Sequence, residues 1–161
     1  MEPYAIFFKR RDQSGFTLLE LVCVLALLGI LALIALPRLQ PVLQDLELRR
    51  EAQEMAAVLR QCRSQAVLDN QAVEVRFYPY AKPPSYEVSG PEGRESYTLE
   101  EGIRYDGISF SHGSLGSPTC VFFANGSSYG GTITLNQEGN LLYVIVYPQT
   151  ARVRVSTTPP T

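Results

Sequence analysis

From Phe16 to Leu36 the chain runs for 21 residues with one charged side chain, Glu20. Between Leu21 and Leu36 the only side chain that is not plainly apolar is the thiol of Cys23. Wound as a helix, the stretch rises about 31 Å, close to the ~30 Å hydrocarbon thickness of a bilayer. A helix that is apolar all round needs a cover of lipid or of other helices. Lys9, Arg10 and Arg11 precede it. Positive charge on that side keeps the N-terminus cytoplasmic and sends the C-terminal part outward.

Glu20 is the residue such a helix should not contain, because an ionisable group in lipid is costly and needs a partner. The apolar run holds no basic residue. Just before it stands Ser14-Gly15-Phe16-Thr17-Leu18-Leu19-Glu20. Gly15 offers an unobstructed backbone at the membrane border, where a protease can bind an extended chain. A cut after Gly15 makes Phe16 the new N-terminus, and its α-amine then supplies the missing positive charge. The partner is either the chain's own amine or a neighbour's.

The basic leader, Gly15 to Glu20 and the unbroken apolar run together resemble the class III signal of type IV pilins and type II secretion pseudopilins. Pro37 resembles the helix-loosening proline of that family. The resemblance implies cleavage between Gly15 and Phe16 by a membrane prepilin peptidase, and N-methylation of Phe16. It also implies that Glu20 recruits or registers subunits in a filament. A plain signal anchor gains nothing from Glu20. A secretory signal has an apolar core of about 7–15 residues and a small-x-small cleavage site, whereas this run is longer and passes into Pro37-Arg38-Leu39.

Pro37 and Pro41, set close together, predict a kink or local unwinding. Val42 to Leu68 reads as helix again, with Leu39, Val42, Leu46, Met55, Leu59, Cys62 and Ala66 mostly at helical spacing. One long kinked helix to about Asp69 is expected, apolar in its first half and amphipathic in its second. Beyond Asn70 the period falls to two, as in Val73, Val75 and Phe77, and short apolar runs alternate with Gly, Pro, Asn and Ser turns. The expected fold class is α+β and pilin-like, the long helix packing on an antiparallel β-sheet or sandwich head. Residues 1–15 are then the leader, 16–37 the membrane and assembly helix, and 38–70 its amphipathic continuation. Residues 71–156 form the head and 157–161 a frayed tail.

The stretch from Phe122 to Leu135, containing Asn125-Gly126 and Gly130-Gly131-Thr132-Ile133-Thr134, is similar to the GspH/FimT group of minor pilins and pseudopilins. A phosphate-cradling role for these glycines is disfavoured, since no Lys follows and a strand comes next. Near the end, Ala151-Arg152-Val153-Arg154-Val155 puts both arginines on one strand face. FimT-like proteins that bind DNA carry Gly-Arg-x-Arg near the C-terminus. Here Ala151 replaces the Gly while Arg152 and Arg154 match. Two arginines can hold successive phosphates without reading bases. The same pattern also serves as a solvated face protecting an edge strand, and a formal net charge of -2 argues against a general nucleic-acid binder.

Three cysteines are present, Cys23, Cys62 and Cys120, with no spacing that suggests zinc. Cys62 and Cys120 either pair in an oxidising compartment or remain free thiols. His112 stands alone in a Gly/Ser turn, and no acid–base set points to an enzyme. The expectation is therefore a minor pilin or pseudopilin without cofactor or metal. Its partners are prepilin peptidase, other pilin-like subunits and membrane lipid before assembly, with DNA as the alternative partner. It sits as a single-pass inner-membrane protein, head extracytoplasmic, until it enters a filament.

Overall fold

The computed structural model describes residues 17–35, 40–110, 113–114 and 117–160. Gly15, Phe16, Pro37 and His112 lie outside them. The chain divides into two compact units, Met1–Gln40 and Pro41–Thr161. The first contains helix α1, Leu18–Ala35. Among the described residues no helix is long and apolar enough to cross a membrane. The 18 residues of α1 rise about 27 Å, and the apolar sequence continues past both ends, to Phe16 and Leu36.

The second unit opens with helix α2, Gln40–Leu68. Pro41 falls in its first turn. There the missing N–H has no helical partner to lose and the fixed φ suits a helix start. The kink expected at Pro37 and Pro41 falls at residues 36–39, which lie outside the described residues. At the other end Asn70 turns left-handed, with φ of 51°, and the Gln71 N–H donates to the Ala66 carbonyl at 3.2 Å. That geometry closes the orphan carbonyls of the last turn.

Nine strands follow: β1 Val73–Tyr78, β2 Ser85–Gly90, β3 Gly93–Thr98, β4 Arg104–Phe110, β5 Gly113–Ser114, β6 Ser117–Phe122, β7 Gly131–Gln137, β8 Asn140–Val146 and β9 Val153–Ser156. They form a five-stranded sheet ordered β3-β2-β1-β6-β5 and a four-stranded sheet ordered β4-β7-β8-β9. The named strand pairings are all antiparallel. The α+β, pilin-like expectation is met by α2 packed on these two sheets. Tight turns set the registers. Glu138 and Gly139 both have positive φ, 50° and 95°, as a two-residue type I′ hairpin between β7 and β8 requires. At Gly131 a side chain would collide with the Ser109 carbonyl and the Phe110 ring of β4, so only glycine allows that pairing.

One core joins all three layers. On α2 the buried row is Leu48, Ala52, Met55, Leu59, Cys62 and Ala66, with Ala56 beside it. The 4-3-4-3-4 spacing keeps the row on a single face. Leu46, expected on that face, is exposed, and Leu48 takes the place. From β1 come Val73, Val75 and Phe77, from β6 Cys120 and Phe122, and from the second sheet Ile133, Leu135, Val144 and Val146. Phe77 is stacked on Phe110 at 5.5 Å and meets the edge of Tyr105 at 6.0 Å, which links the two sheets.

Glu51 is the polar exception on α2, with 6% of its surface exposed. Burial pushes its carboxyl up from the ordinary value; a backbone hydrogen bond from Glu100 works the other way, and nearby Glu54 adds to the rise.

Leu59→Ala should destabilise the head by about 2–5 kcal/mol, because the sheets and helix cannot all collapse onto the cavity; urea denaturation of the full chain in detergent measures it. Glu51→Gln should stabilise the fold at neutral pH. A carboxyl raised by folding favours the native state below its unfolded pKa, and that advantage is lost as pH rises through the folded value. The gain from the amide should therefore fade as pH drops into the ordinary carboxylate range, which melting curves taken between acid and neutral pH will show.

Candidate assembly and interaction sites

The first residues of α1 are organised by Thr17. Its carbonyl accepts from the Leu21 N–H at 3.1 Å, and its Oγ1 accepts from the Glu20 N–H at 3.2 Å. Thr17 is thus the helix N-cap, and Glu20 occupies the position of the acid in a capping box. The sequence signal was available as Thr17-x-x-Glu20, hidden inside the longer motif. The carboxylate lies in the first helical turn, where the positive end of the helix dipole favours it by roughly 0.3–1 kcal/mol. Among the described residues Glu20 makes no ion pair.

Every residue from Thr17 to Ala32 is exposed in the single chain. Leu18 and Leu19 are 81% and 73% open. A continuous apolar surface of this kind marks a place that something else covers.

The second region is the last strand. Arg152 and Arg154 are exposed while Val153 is buried, so the alternation places both guanidiniums outward. The Arg152 guanidinium lies over the Tyr147 ring, 5.0 Å from its centre, a cation–π contact. Ala151 is fully buried and left-handed, with φ of 47°. A glycine adopts that conformation freely, while any L side chain is strained by about 1–2 kcal/mol. The alanine therefore keeps the backbone shape that a glycine would give. Sequence reasoning missed Arg60 and Arg63 of α2. The Arg60 Nη2 donates to the Val153 carbonyl at 3.3 Å, and Arg63 lies against the Gly126 turn.

The glycines between β6 and β7 serve the backbone. Asn125 Oδ1 accepts from the Ser127 N–H at 3.0 Å and from its hydroxyl at 2.7 Å, and Gly126 has φ of 80°. A side chain at Gly130 would collide with Pro148. Strand β7 follows directly, so the loop does not lead into a helix N-terminus.

Cys62 and Cys120 are both buried and stand as free thiols in the structure. Burial pushes the Cys62 thiol up to about 12 and raises Cys120 as well. The Cys120 thiol donates to the Tyr129 carbonyl at 3.5 Å. Each acts as a small neutral core residue. Among the described residues no cluster of three or more His, Cys, Asp or Glu could hold a metal.

The geometry agrees with what is known of similar chains. The prokaryotic N-terminal methylation motif matches residues 10–36, and this motif marks chains processed by prepilin peptidase. The family described as type II transport protein GspH matches residues 51–158. No curated protein matches the chain by sequence. Among solved structures, the crystal structure of the minor pseudopilin EpsH from the type II secretion system of Vibrio cholerae superposes with a TM-score of 0.56. It is 16% identical and covers 74% of this chain and 99% of its own. The type IV minor pilin FimU of Pseudomonas aeruginosa superposes with a TM-score of 0.51 at 16% identity, covering 70% of this chain and 90% of its own. At that identity the likeness is one of fold. With the GspH family covering most of the sequence and the methylation motif most of what precedes it, the chain belongs to the GspH family of minor pseudopilins and pilins.

Proposed function

We propose that this minor pilin or pseudopilin is cut between Gly15 and Phe16, methylated on Phe16, and held in the inner membrane by the apolar run until it joins a filament. The observation that carries this reading is Glu20. Thr17 fixes it in the first turn of α1, and it has no cation among the described residues. A free amine on Phe16 would stand four residues before it in the chain. Before assembly that amine is the subunit's own. In a filament a neighbour's amine takes the same role while neighbouring helices replace lipid around α1. The basic residues Lys9 to Arg11 orient the anchor with the head outside the cytoplasm. The family is one of structural subunits, and the head's part is recognition rather than catalysis.

DNA binding by Arg152 and Arg154 is the second reading. Its support is the left-handed Ala151, which keeps the backbone of a Gly-Arg-x-Arg strand. Against it stand the net charge of -2 and the engagement of Arg152 with Tyr147.

The mature protein, extracted from cells with an active prepilin peptidase, should begin at methylated Phe16; N-terminal sequencing and intact mass measure this. Retention of residues 1–15 would remove the reading. Glu20→Gln should leave cleavage and membrane extraction unchanged but reduce incorporation into sheared filaments at least tenfold, read by immunoblot of the filament fraction. Normal incorporation of Glu20→Gln would show that the charge is not used in assembly.

A further inference from the structure

The outermost strands of an open sheet present unpaired N–H and C=O groups that can template a further strand. Among the described residues these strands are β3 and β5 of one sheet and β4 and β9 of the other. Three of them are blunted. β5 is two residues long. β4 is interrupted by a bulge between Tyr105 and Gly107. On β9 the Val153 carbonyl is taken by Arg60 at 3.3 Å.

β3 has none of these devices. It runs six residues, Gly93–Thr98, in unbroken register with β2. Only Pro91 and Glu92 lie between the two strands, so the closing pair, Gly90 and Gly93, is hydrogen-bonded. Alternation then sends the N–H and C=O groups of Arg94, Ser96 and Thr98 away from β2. All three residues are exposed. Among the described residues none of those backbone groups bonds to another element. Nor do the charges of β3 screen the edge. Arg94 turns back to Glu87 of β2 at 4.0 Å, and Glu95 accepts from the Tyr97 hydroxyl at 2.6 Å.

The open edge borders a cavity of about 370 Å³ between β3 and α2. Tyr86 and Tyr97, stacked at 5.0 Å, give it aromatic walls. Glu51, Glu54 and Glu100 give it carboxylates, and Arg50 answers two of them, Glu54 and Glu100. An extended segment paired with β3 sends alternate side chains toward α2 and into this cavity. A lysine or arginine there lays its methylene stem on the rings and its charge among the carboxylates. A second copy of this chain fits badly. Glu95 shares the α2-facing side of β3 with Tyr97, so β3 laid on β3 brings like charges together.

We propose that β3 accepts an added strand from a different protein, an extended segment with lysine or arginine at its α2-facing positions. Main-chain hydrogen bonds supply the affinity, and the alternate side chains in the cavity supply the choice of partner. One open edge per head gives a single contact and no array, as a minor subunit requires. The inference goes beyond the filament reading and does not need it, since the contact is measured on uncut chain in detergent.

The test titrates the full chain, in non-ionic detergent, into a fluorescent peptide of about seven residues, a typical strand length. Threonine occupies alternate positions, with lysine, valine and lysine between them. Anisotropy, compared with empty micelles, should show a dissociation constant of roughly 1 mM or tighter. Glutamate in place of the lysines should weaken binding at least tenfold. Two N-methylated forms of the peptide each block one alternate set of amides. One should bind as the parent does and the other at least tenfold more weakly, because only one set faces β3. Ser96→Pro removes an outward N–H that β2 does not use; it should weaken binding at least tenfold with an unchanged melting curve. Should that variant melt early, the N-methylated pair decides the matter on the unaltered chain. Glu54→Arg should weaken the lysine peptide and favour the glutamate one. No binding of the lysine peptide at that concentration overturns the inference, as does equal behaviour of the two N-methylated forms. Self-association of the chain that Ser96→Pro abolishes overturns the assignment to a different protein. Cleavage after Gly15 is read separately by mass, so failure here leaves the filament reading standing.

Discussion

The head is built around a helix face whose side chains are mostly small. Ala52, Ala56, Cys62 and Ala66 let the sheets approach α2 closely, and Leu48, Met55 and Leu59 fill the spaces between them. Two sheets of five and four strands share this one row, so the position of α2 sets that of nearly every buried strand residue. Interiors are packed to crystal-like density, which leaves the helix little freedom to rotate about its axis. That constraint fixes the flanks as well. Once the row from Leu48 to Ala66 faces inward, Glu51 and Glu54 must face β3, and Arg60 must face β9.

The burial of Glu51 beside Glu54 and Glu100 is a local cost that packing efficiency does not explain. Buried carboxyls are disfavoured unless paired, and here the hydrogen bond from the Glu100 backbone offsets only part of the penalty.

Much of this architecture is legible in the sequence. Alternation in Val73, Val75 and Phe77 marks β1, and the turn residues at Asn70, Asn125-Gly126 and Gly139 sit where the backbone turns left-handed or tightens. The phase of α2 was harder to read. Leu46 and Leu48 compete for one face, and only the sheets decide that Leu48 is buried. Pairing order is not written locally at all. That β1 lies between β2 and β6, or that β9 ends its sheet beside Arg60, follows from long-range packing to which residue spacing is blind. The capping role of Thr17 is written in Thr17-x-x-Glu20, residues that also belong to the longer motif.

Glu20 finally separates two kinds of apolar helix. A helix meant only to stay in lipid does best with no charge. An acid near its end still costs several kcal/mol unless it reaches water or a partner, more than the helix dipole returns. Thr17 removes one cost, the unsatisfied N–H of Glu20, and leaves the carboxylate itself unanswered. The proposed cut would make an amine four residues before that carboxylate in the chain and would offer it a partner in either setting. In lipid the subunit's own amine would answer the charge. In a filament the acid can exchange it for a neighbour's without either charge being left bare. An anchor that must later become a packing surface needs a polar contact that can change partners, and a capped acid beside a newly made N-terminus provides one.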